Sequence, residues 1–400
     1  MAESDTSKLH QPSKTSGILS GIISPLEGTR TSEVIKKGVR LLSLDFYRGL
    51  VMVLLMLEST GMHEHWLEMS ESGSFLNVLA TQFTHTPWHG LYFWDLIQPA
   101  FMFIAGTAMA FSLTKRTALG KPWKEQAFHA IKRSWWLFFW GVLNYAVRGD
   151  HLSFELWNVL TQLSFTLLLA FLIFRWKASY QLLFSIGLLV LTECLYRFAN
   201  IPGFDQPFTD QHNFGNYMDM LLMNKINSGG WVAINCIPTA AHTIWGAVAG
   251  KWLIEYASVK GKIGNIVILG FVALLAGYTL DILGITPIIK RIATSSFNLV
   301  TGGWCLLALA FLYYWIDVLQ HKRYLQFFSI VGMNSIFIYL FFQIVVSRWF
   351  REYVEVIVTG VLSPTGMAQA ITLIFAALAI FAIEWYLCYW LYRKKIFFKV

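Results

Sequence analysis

At 400 residues, with 56% hydrophobic and only 14% charged side chains, the chain falls outside the range of soluble domains, which carry about 25% charge. The net charge of +8 does not imply nucleic acid, because the basic residues cluster at the ends of apolar runs, as membrane topology alone demands. The four cysteines, Cys194, Cys236, Cys305 and Cys388, sit inside apolar runs without a pairing pattern and read as small packing residues, which argues against a disulfide frame or a cysteine metal site.

Residues 1–40 are polar and rich in Ser, Thr, Lys and Gly, and their one apolar run, Gly17 to Pro25, is too short and too rich in Ser and Gly for a signal peptide. They read as a flexible cytoplasmic tail. Beyond them, runs near the roughly 20-residue length that spans a bilayer recur. They fall at about 42–60, 92–113, 130–147, 156–175, 180–198, 232–254, 263–284, 297–316, 328–347 and 369–392. The expected fold is therefore an all-α polytopic membrane protein, a bundle of about ten transmembrane helices forming one domain over residues 41–400. With the tail inside, inward segments hold about 23 of the 31 Lys and Arg residues and outward segments about 7. Both termini are then cytoplasmic, and the loop Gly61–Leu91, which has no Lys or Arg, faces outward.

The first run opens with Asp45 and Arg48, three residues apart and able to neutralise each other on one helical face; Arg48 is also placed to hold an anionic cofactor at the inner mouth. Glu58 closes the same run. The triplet His63-Glu64-His65 follows, but imidazoles two residues apart do not share a helical face and no third ligand is fixed, so no metal is expected. Next come His85-Thr86-Pro87-Trp88-His89-Gly90 and then Asp95. Thr86 can cap and Pro87 can open a helix, leaving His85 at the positive end of its dipole, where a neutral imidazole is favoured. Ionisable groups at a membrane boundary are functional candidates by default. His85 and Asp95 are the candidate catalytic pair, with Trp88 and His89 beside them for substrate, and Pro99 and Gly106 bending the helix that follows.

Lys115, Arg116, Lys121, Lys124, Lys132 and Arg133 crowd one inward loop and can neutralise phosphates. Of the other buried polar residues, Gln98, Asn144, Asn158, Gln162, Glu193, His242, Asp281, Gln343 and Glu384 suit interhelical contacts. Asn235, with Pro238 and His242, and Asn334 are the best placed to line a shared cavity. The outward segment Arg197–Trp231 carries Phe204, Phe208, Phe214 and Tyr217 among carboxylates and amides, a composition suited equally to a sugar site and to a loop cap.

The series Ser43-Leu44-Asp45-Phe46-Tyr47-Arg48-Gly49, His85-Thr86-Pro87-Trp88-His89-Gly90, Asp95-Leu96-Ile97-Gln98-Pro99, Phe103-Ile104-Ala105-Gly106, Asn158-Val159-Leu160-Thr161-Gln162-Leu163, Gly332-Met333-Asn334-Ser335-Ile336 and the ending Leu391–Val400 resembles the heparan-α-glucosaminide N-acetyltransferase family of transmembrane acetyltransferases, bacterial branch. The resemblance covers nearly all of the chain after residue 40. It implies an enzyme that takes acetyl-CoA from the cytosol as cosubstrate and acetylates the amine of a glucosamine-type sugar, as in a heparan sulfate-like glycan, across the membrane. The family's active histidine falls on His85, its aspartate on Asp95, and the asparagine of its Gly-Met-Asn-Ser motif on Asn334. Arg48, Lys115 and Arg116 would face the CoA phosphates. The chain departs from the family at Thr161-Gln162, where the family has Gln-Arg; at Phe342-Gln343, where it has His-Glu; and at Glu58-Ser59, where it has Val-Asn. Glu58, His63 and His89 are the candidates to substitute for the second histidine.

Two other readings fit the same residues: O-acylation of an envelope glycan, and a proton-coupled transporter of small molecules using Asp95, Glu193, Asp281 and Glu384. A bacterial inner membrane is the expected location. The small-residue face Gly246–Gly250 suits packing within one chain or between the copies of a homodimer.

Overall fold

The computed structural model describes residues 41–146 and 152–398; the expected tail at 1–40 lies outside the described residues. The described chain is helical, with no strand and one isolated bridge, between His89 and Ile289. In order, its helices are α1 (Leu42–Ser59), the short α2 (Met62–Met69) and α3 (Phe75–Thr81), α4 (Ile97–Ala118), α5 (Trp123–Ala146), α6 (Val159–Ile173), α7 (Ala178–Phe198), the short α8 (Phe214–Met223), α9 (Cys236–Glu255), α10 (Val259–Ile282), α11 (Ser295–Leu312), α12 (Leu325–Met333), α13 (Ser335–Phe341), α14 (Arg351–Leu362) and α15 (Gln369–Arg393).

Every expected apolar run is helical, but the expected count of ten spans is not what the helices support. Among the described residues five helices are long and apolar enough to cross a membrane: Phe93–Ala118, Ala178–Phe198, Val259–Ile282, Ser295–Val318 and Gln369–Arg393. A sixth follows if the pair Leu325–Met333 and Ser335–Thr365, bent by 74°, is one broken span. The shortfall has visible causes. The helix α1 carries Asp45, Arg48 and Glu58, α5 carries Lys124, Glu125, Lys132 and Arg133, α6 has 15 residues, and the run at 328–347 breaks at Asn334.

The centre of the bundle is the crossing of α4 on α9. A Cβ added at Gly106 would overlap the carbonyl oxygen of Thr243, and one at Gly246 would overlap that of Phe103, so the two backbones touch. Gly250 lies against Thr107 and Ala110 in the same way, which places the 246–250 face inside one chain. Around this crossing α7 and α6 pack on α9, α5 on α6, α1 on α4 and α12, and α11 on α10. The start of α1 has no cap of its own; the carboxylate of Asp317 accepts from the Leu42 and Ser43 N–H groups (3.1 and 3.0 Å), closing orphan donors of the helix end from another element. The four cysteines are free: Cys305 and Cys388 are buried, Cys236 is half-buried and Cys194 is exposed.

Candidate functional site

The segment after α3 does not form the helix that Thr86 and Pro87 would open. It runs irregularly to a single 3-10 turn at Phe93–Leu96, and α4 starts only at Ile97. Thr86 instead turns its hydroxyl onto Asp95, donating to Oδ2 at 2.6 Å. The Tyr92 N–H donates to the same oxygen at 2.9 Å, so Asp95 caps the turn in which it sits. The helix end expected to act on His85 is therefore absent, and the loop folds back so that His85 reaches Asp95 directly, Nδ1 to Oδ1 at 3.4 Å.

What holds that fold is a second loop, 283–294, between α10 and α11. Gly90 N–H donates to the Ile288 carbonyl at 2.9 Å, His89 bridges Ile289, and the His89 imidazole pairs with Asp281 at 2.7 Å. Asp281 also accepts from the Ile288 N–H at 2.9 Å, tying both loops to one carboxylate. Gly90 sits at φ +119°, a left-handed conformation that only glycine adopts without strain. This register brings in Lys290, which in the sequence stands out only as an outward charge. Its Nζ lies 3.1 Å from Asp95 Oδ1 and 2.9 Å from His85 Nδ1.

The three groups differ in access. Asp95 is fully buried and Lys290 is 5% exposed, whereas His85 is 43% exposed, so the imidazole is the most accessible of the three. Burial pushes the Lys290 amine below its ordinary pKa, against the pull of the Asp95 and Glu58 carboxylates. Trp231 walls the cluster, its ring edge-on to His85 at 6.1 Å and beneath Lys290 Nζ at 5.4 Å.

His85 and Lys290 open into a cavity of about 230 Å³. Glu58 stands on its wall with Oε1 3.8 Å from His85 Nε2. Gln98, Asn158, Asn227 and Gln343 add polar groups, and Tyr145, Trp157 and Tyr339 add aromatic faces. Such a wall, apolar and aromatic with a few convergent polar groups, is what a small-ligand site requires. Asn158 is oriented by capping α6, accepting from the Leu160 and Thr161 N–H groups and donating to the Gly141 carbonyl. Gln98 donates to Gln162 at 2.7 Å.

Of the residues expected here, His85, Asp95 and Glu58 converge; the others do not reach the wall. Trp88 spends its indole N–H on the Phe208 carbonyl (2.8 Å) and packs in a separate cluster with Val232 and Ile292. His89 faces Asp281, outside the cavity. Asn235 is buried and donates to the Arg291 carbonyl at 2.5 Å, steadying the residue next to Lys290. Asn334 lies at the break between α12 and α13, where it donates to the Ile396 carbonyl and accepts from the Phe398 N–H (3.1 and 3.0 Å). Gly332 beside it packs on Gly49, about nine residues, or roughly 13 Å, from the Glu58 end of α1. His242 is buried against Thr301 at 2.9 Å. His63 packs behind Glu58 and Trp94, and burial lowers its imidazole pKa.

The outward aromatics pack on each other, Phe204 on Tyr217 and Phe214 on Tyr196 and Tyr217. From this segment the cavity receives Asn227 and Trp231. Asp219 accepts from Trp157 Nε1 (2.9 Å) and the Ala233 N–H (2.8 Å), fixing one aromatic wall.

At the other end, Arg116 lines a groove with His129 and Arg133, Lys115 is exposed, and the charge of Arg48 acts on Arg133. Compared with known proteins, the chain matches no family model and no curated protein.

Proposed function

We propose that the protein is a membrane-bound acyltransferase that moves acetyl from cytosolic acetyl-CoA to the amine of a glucosamine-type sugar at the outer end of the bundle. The observation that carries this reading is the chain Asp95, Lys290, His85, which ends at an accessible imidazole edge facing Glu58 across a cavity. The composition of the site supports it: a thioester is already activated, so transfer needs a nucleophile stripped of its proton and a charge to meet the oxyanion.

The reaction starts from the form of the site in which Lys290 is a neutral amine, a form that burial of the amine favours. The amine accepts the Nδ1–H of His85 and donates to Asp95, leaving the Nε2 lone pair towards the cavity. The amine of the acceptor, drawn as an ammonium to Glu58, gives its first proton to that carboxylate. As the nitrogen attacks the thioester carbonyl, Nε2 takes the second proton, and the Nδ1 proton passes over 2.9 Å to Lys290. The new ammonium is held by Asp95 at 3.1 Å, so the positive charge forms beside a buried carboxylate and within reach of the oxyanion. When the C–S bond breaks, Nε2–H returns a proton to the CoA thiolate, Lys290 returns one to Nδ1, Glu58 releases the proton it took from the ammonium to outer solvent, and the site is reset.

The route for the donor follows from shared walls. The helices α4, α5 and α6 line both the cavity, through Ile97, Gln98, Phe101, Tyr145 and Val159, and the groove at the opposite end, through Leu113, Arg116, Arg133 and Phe171. The seam between them is the path proposed for the pantetheine arm, with Arg48, Lys115 and Arg116 at the phosphate end. Cytoplasmic termini and a bacterial inner membrane complete the proposal.

The test is transfer of labelled acetyl from acetyl-CoA by purified protein to glucosamine and, separately, to N-acetylglucosamine. Labelling of the free amine that His85→Ala abolishes supports the proposal. Labelling of N-blocked sugar alone converts it to O-acylation, and CoA-independent uptake of sugar into vesicles with no labelling replaces it with transport.

A further inference from the structure

The short helix α3 turns an apolar face away from the protein. Of its seven residues, Phe75 is 83% exposed and Val78 56%, with Leu76 and Leu79 exposed beside them. At 3.6 residues per turn these four side chains cover an arc of about 160°. The opposite side carries Asn77, Ala80 and Thr81, and Ala80 is fully buried. From Ser72 to Thr84 the sequence holds no ionisable residue.

The polar side chains around α3 are spent on the loop itself. Ser74 Oγ accepts the Asn77 N–H (3.2 Å), the Asn77 amide donates to Ser70 Oγ (3.1 Å), and Thr81 donates to the Asn77 carbonyl (2.8 Å). The exposed arc is left with hydrocarbon alone. The level of the helix is fixed from its far end, where the Gln82 carbonyl accepts the Trp94 N–H at 3.0 Å and the Gln82 side chain accepts the Phe93 N–H at 3.2 Å. Phe93 is the first residue of a helix long and apolar enough to cross a membrane, and its own ring is 43% exposed. So α3 lies where that span begins, and its apolar arc continues onto a surface of the same kind. On the other side α2 packs against α15, only a third of whose apolar stretch is buried within the protein. There α2 and the turn after it keep Glu64, Glu68 and Glu71 exposed.

An uncharged apolar arc at the level where a span starts, with carboxylates on the neighbouring turn, is the arrangement of a helix lying in a membrane surface. Such a helix sinks its apolar side about 5–10 Å into the boundary between headgroups and acyl chains. We propose that α3 is an in-plane lipid-binding element, its Phe75, Leu76, Val78 and Leu79 side chains set among the phospholipids of the leaflet on the His85 side of the bundle. A second copy of the chain is the poorer occupant, because four side chains on about two turns fall well short of the roughly 1,000 Å² that a stable protein interface buries. Lipid contact at α3, together with the Gln82 clamp on Phe93 and Trp94, seats the intervening loop and its His85 at a set depth. The inference concerns lipid contact alone and stands whether or not acetyl transfer occurs.

The experiment uses the full chain in phosphatidylcholine nanodiscs, with the photoreactive residue p-benzoylphenylalanine placed singly at Phe75, Leu79 or Glu71. Irradiation is followed by intact-mass spectrometry, which reads the gain of one phospholipid. Phe271, exposed on the span α10, carries the same group to set the yield of a side chain among acyl chains. Phospholipid adducts at 75 close to the yield at 271, and several-fold above the yield at 71, establish the contact. Position 79 repeats the measurement should the substitution at 75 disturb the fold. Adducts no more frequent at 75 and 79 than at 71 overturn the inference in favour of a face open to water. Covalent dimers in place of lipid adducts overturn it in favour of a second copy.

Discussion

Lys290 Nζ stands 2.9 Å from His85 Nδ1 across 205 residues of chain, and that contact decides which protonation states the site can hold. An ammonium there can only donate to Nδ1, which forces the imidazole proton onto Nε2; a neutral amine accepts the Nδ1 proton and leaves Nε2 basic. The two arrangements differ by one proton, and it is the proton a general base must take up.

Replacing Lys290 by Met removes the relay while leaving the cavity lining similar in size. The expected result is a fall in kcat of about 10²-fold or more, the usual worth of positioned acid–base catalysis, with KM for acetyl-CoA little changed. Lys290→Arg does not rescue, because a guanidinium cannot give up its proton at working pH. A pH–rate profile distinguishes this from a packing defect: wild type loses activity as pH falls and Lys290 becomes permanently charged, whereas the Met variant loses that dependence on Lys290.

The same contact makes a stability prediction. Asp95 is fully buried and Lys290 nearly so, and taking one partner from such a pair leaves an uncompensated charge at a cost of about 3–5 kcal/mol. Lys290→Met and Asp95→Asn should each lower the melting temperature in detergent clearly. The double variant should lose much less than the sum, since neither charge is then stranded. Additive losses would show that the two residues do not act as a pair.

Much of this architecture can be read from the chain alone, and the parts that cannot share one cause. Each apolar run becomes a helix because hydrophobic length is a local property. The pairing of His85 with Asp95 is nearly local as well, ten residues apart. The expected ten spans exceed what the helices support because apolar runs continue past charged residues that stay inside the helices: Asp45, Arg48 and Glu58 in α1, and Arg133 in α5. The role of Lys290 is not legible in the sequence, because it depends on two loops meeting, through His89, Asp281 and Ile289, and nothing periodic records such a meeting. The available signal was its setting, a lysine within Ile288-Ile289-Lys290-Arg291-Ile292, where apolar neighbours on both sides mark a loop that will be buried. Asn235 and Asn334 show why buried amides are ambiguous in a sequence: each suits a cavity wall, but one fixes a loop carbonyl and the other a helix break.

The glycine crossing that carries Asp95 into place is a further test. At Gly106 and Gly246 an added Cβ would meet backbone carbonyls of the facing helix, which cannot rotate away as a side chain would. Gly106→Ala and Gly246→Ala should each destabilise the protein by about 1–3 kcal/mol, the usual cost of overpacking. Because α4 begins two residues after Asp95, both variants should also reduce kcat. Gly264→Ala, at a position with open space around it, serves as the control and should be neutral in both measurements.

Asp219 gives the site a pH dependence of its own. It is fully buried beneath the cavity wall, and desolvation lifts its pKa to about 7, against the hydrogen bonds from the Ala233 N–H and Trp157. In the unfolded chain the same carboxyl titrates near 4. Between those values the folded protein holds a proton that the unfolded chain has released, so stability falls as pH rises from about 4 to 7 and is level above that range. The span of three units sets the change at no more than about 4 kcal/mol. Melting temperature followed from pH 5 to 8 should therefore decline and then flatten. In Asp219→Asn the slope due to this group should vanish, leaving a constant loss from the mismatch of the Asn amide with one of the two donors. A slope that survives the substitution unchanged would assign the titration to another group, and one of opposite sign would mean that the carboxylate is held charged by Trp157 and Ala233.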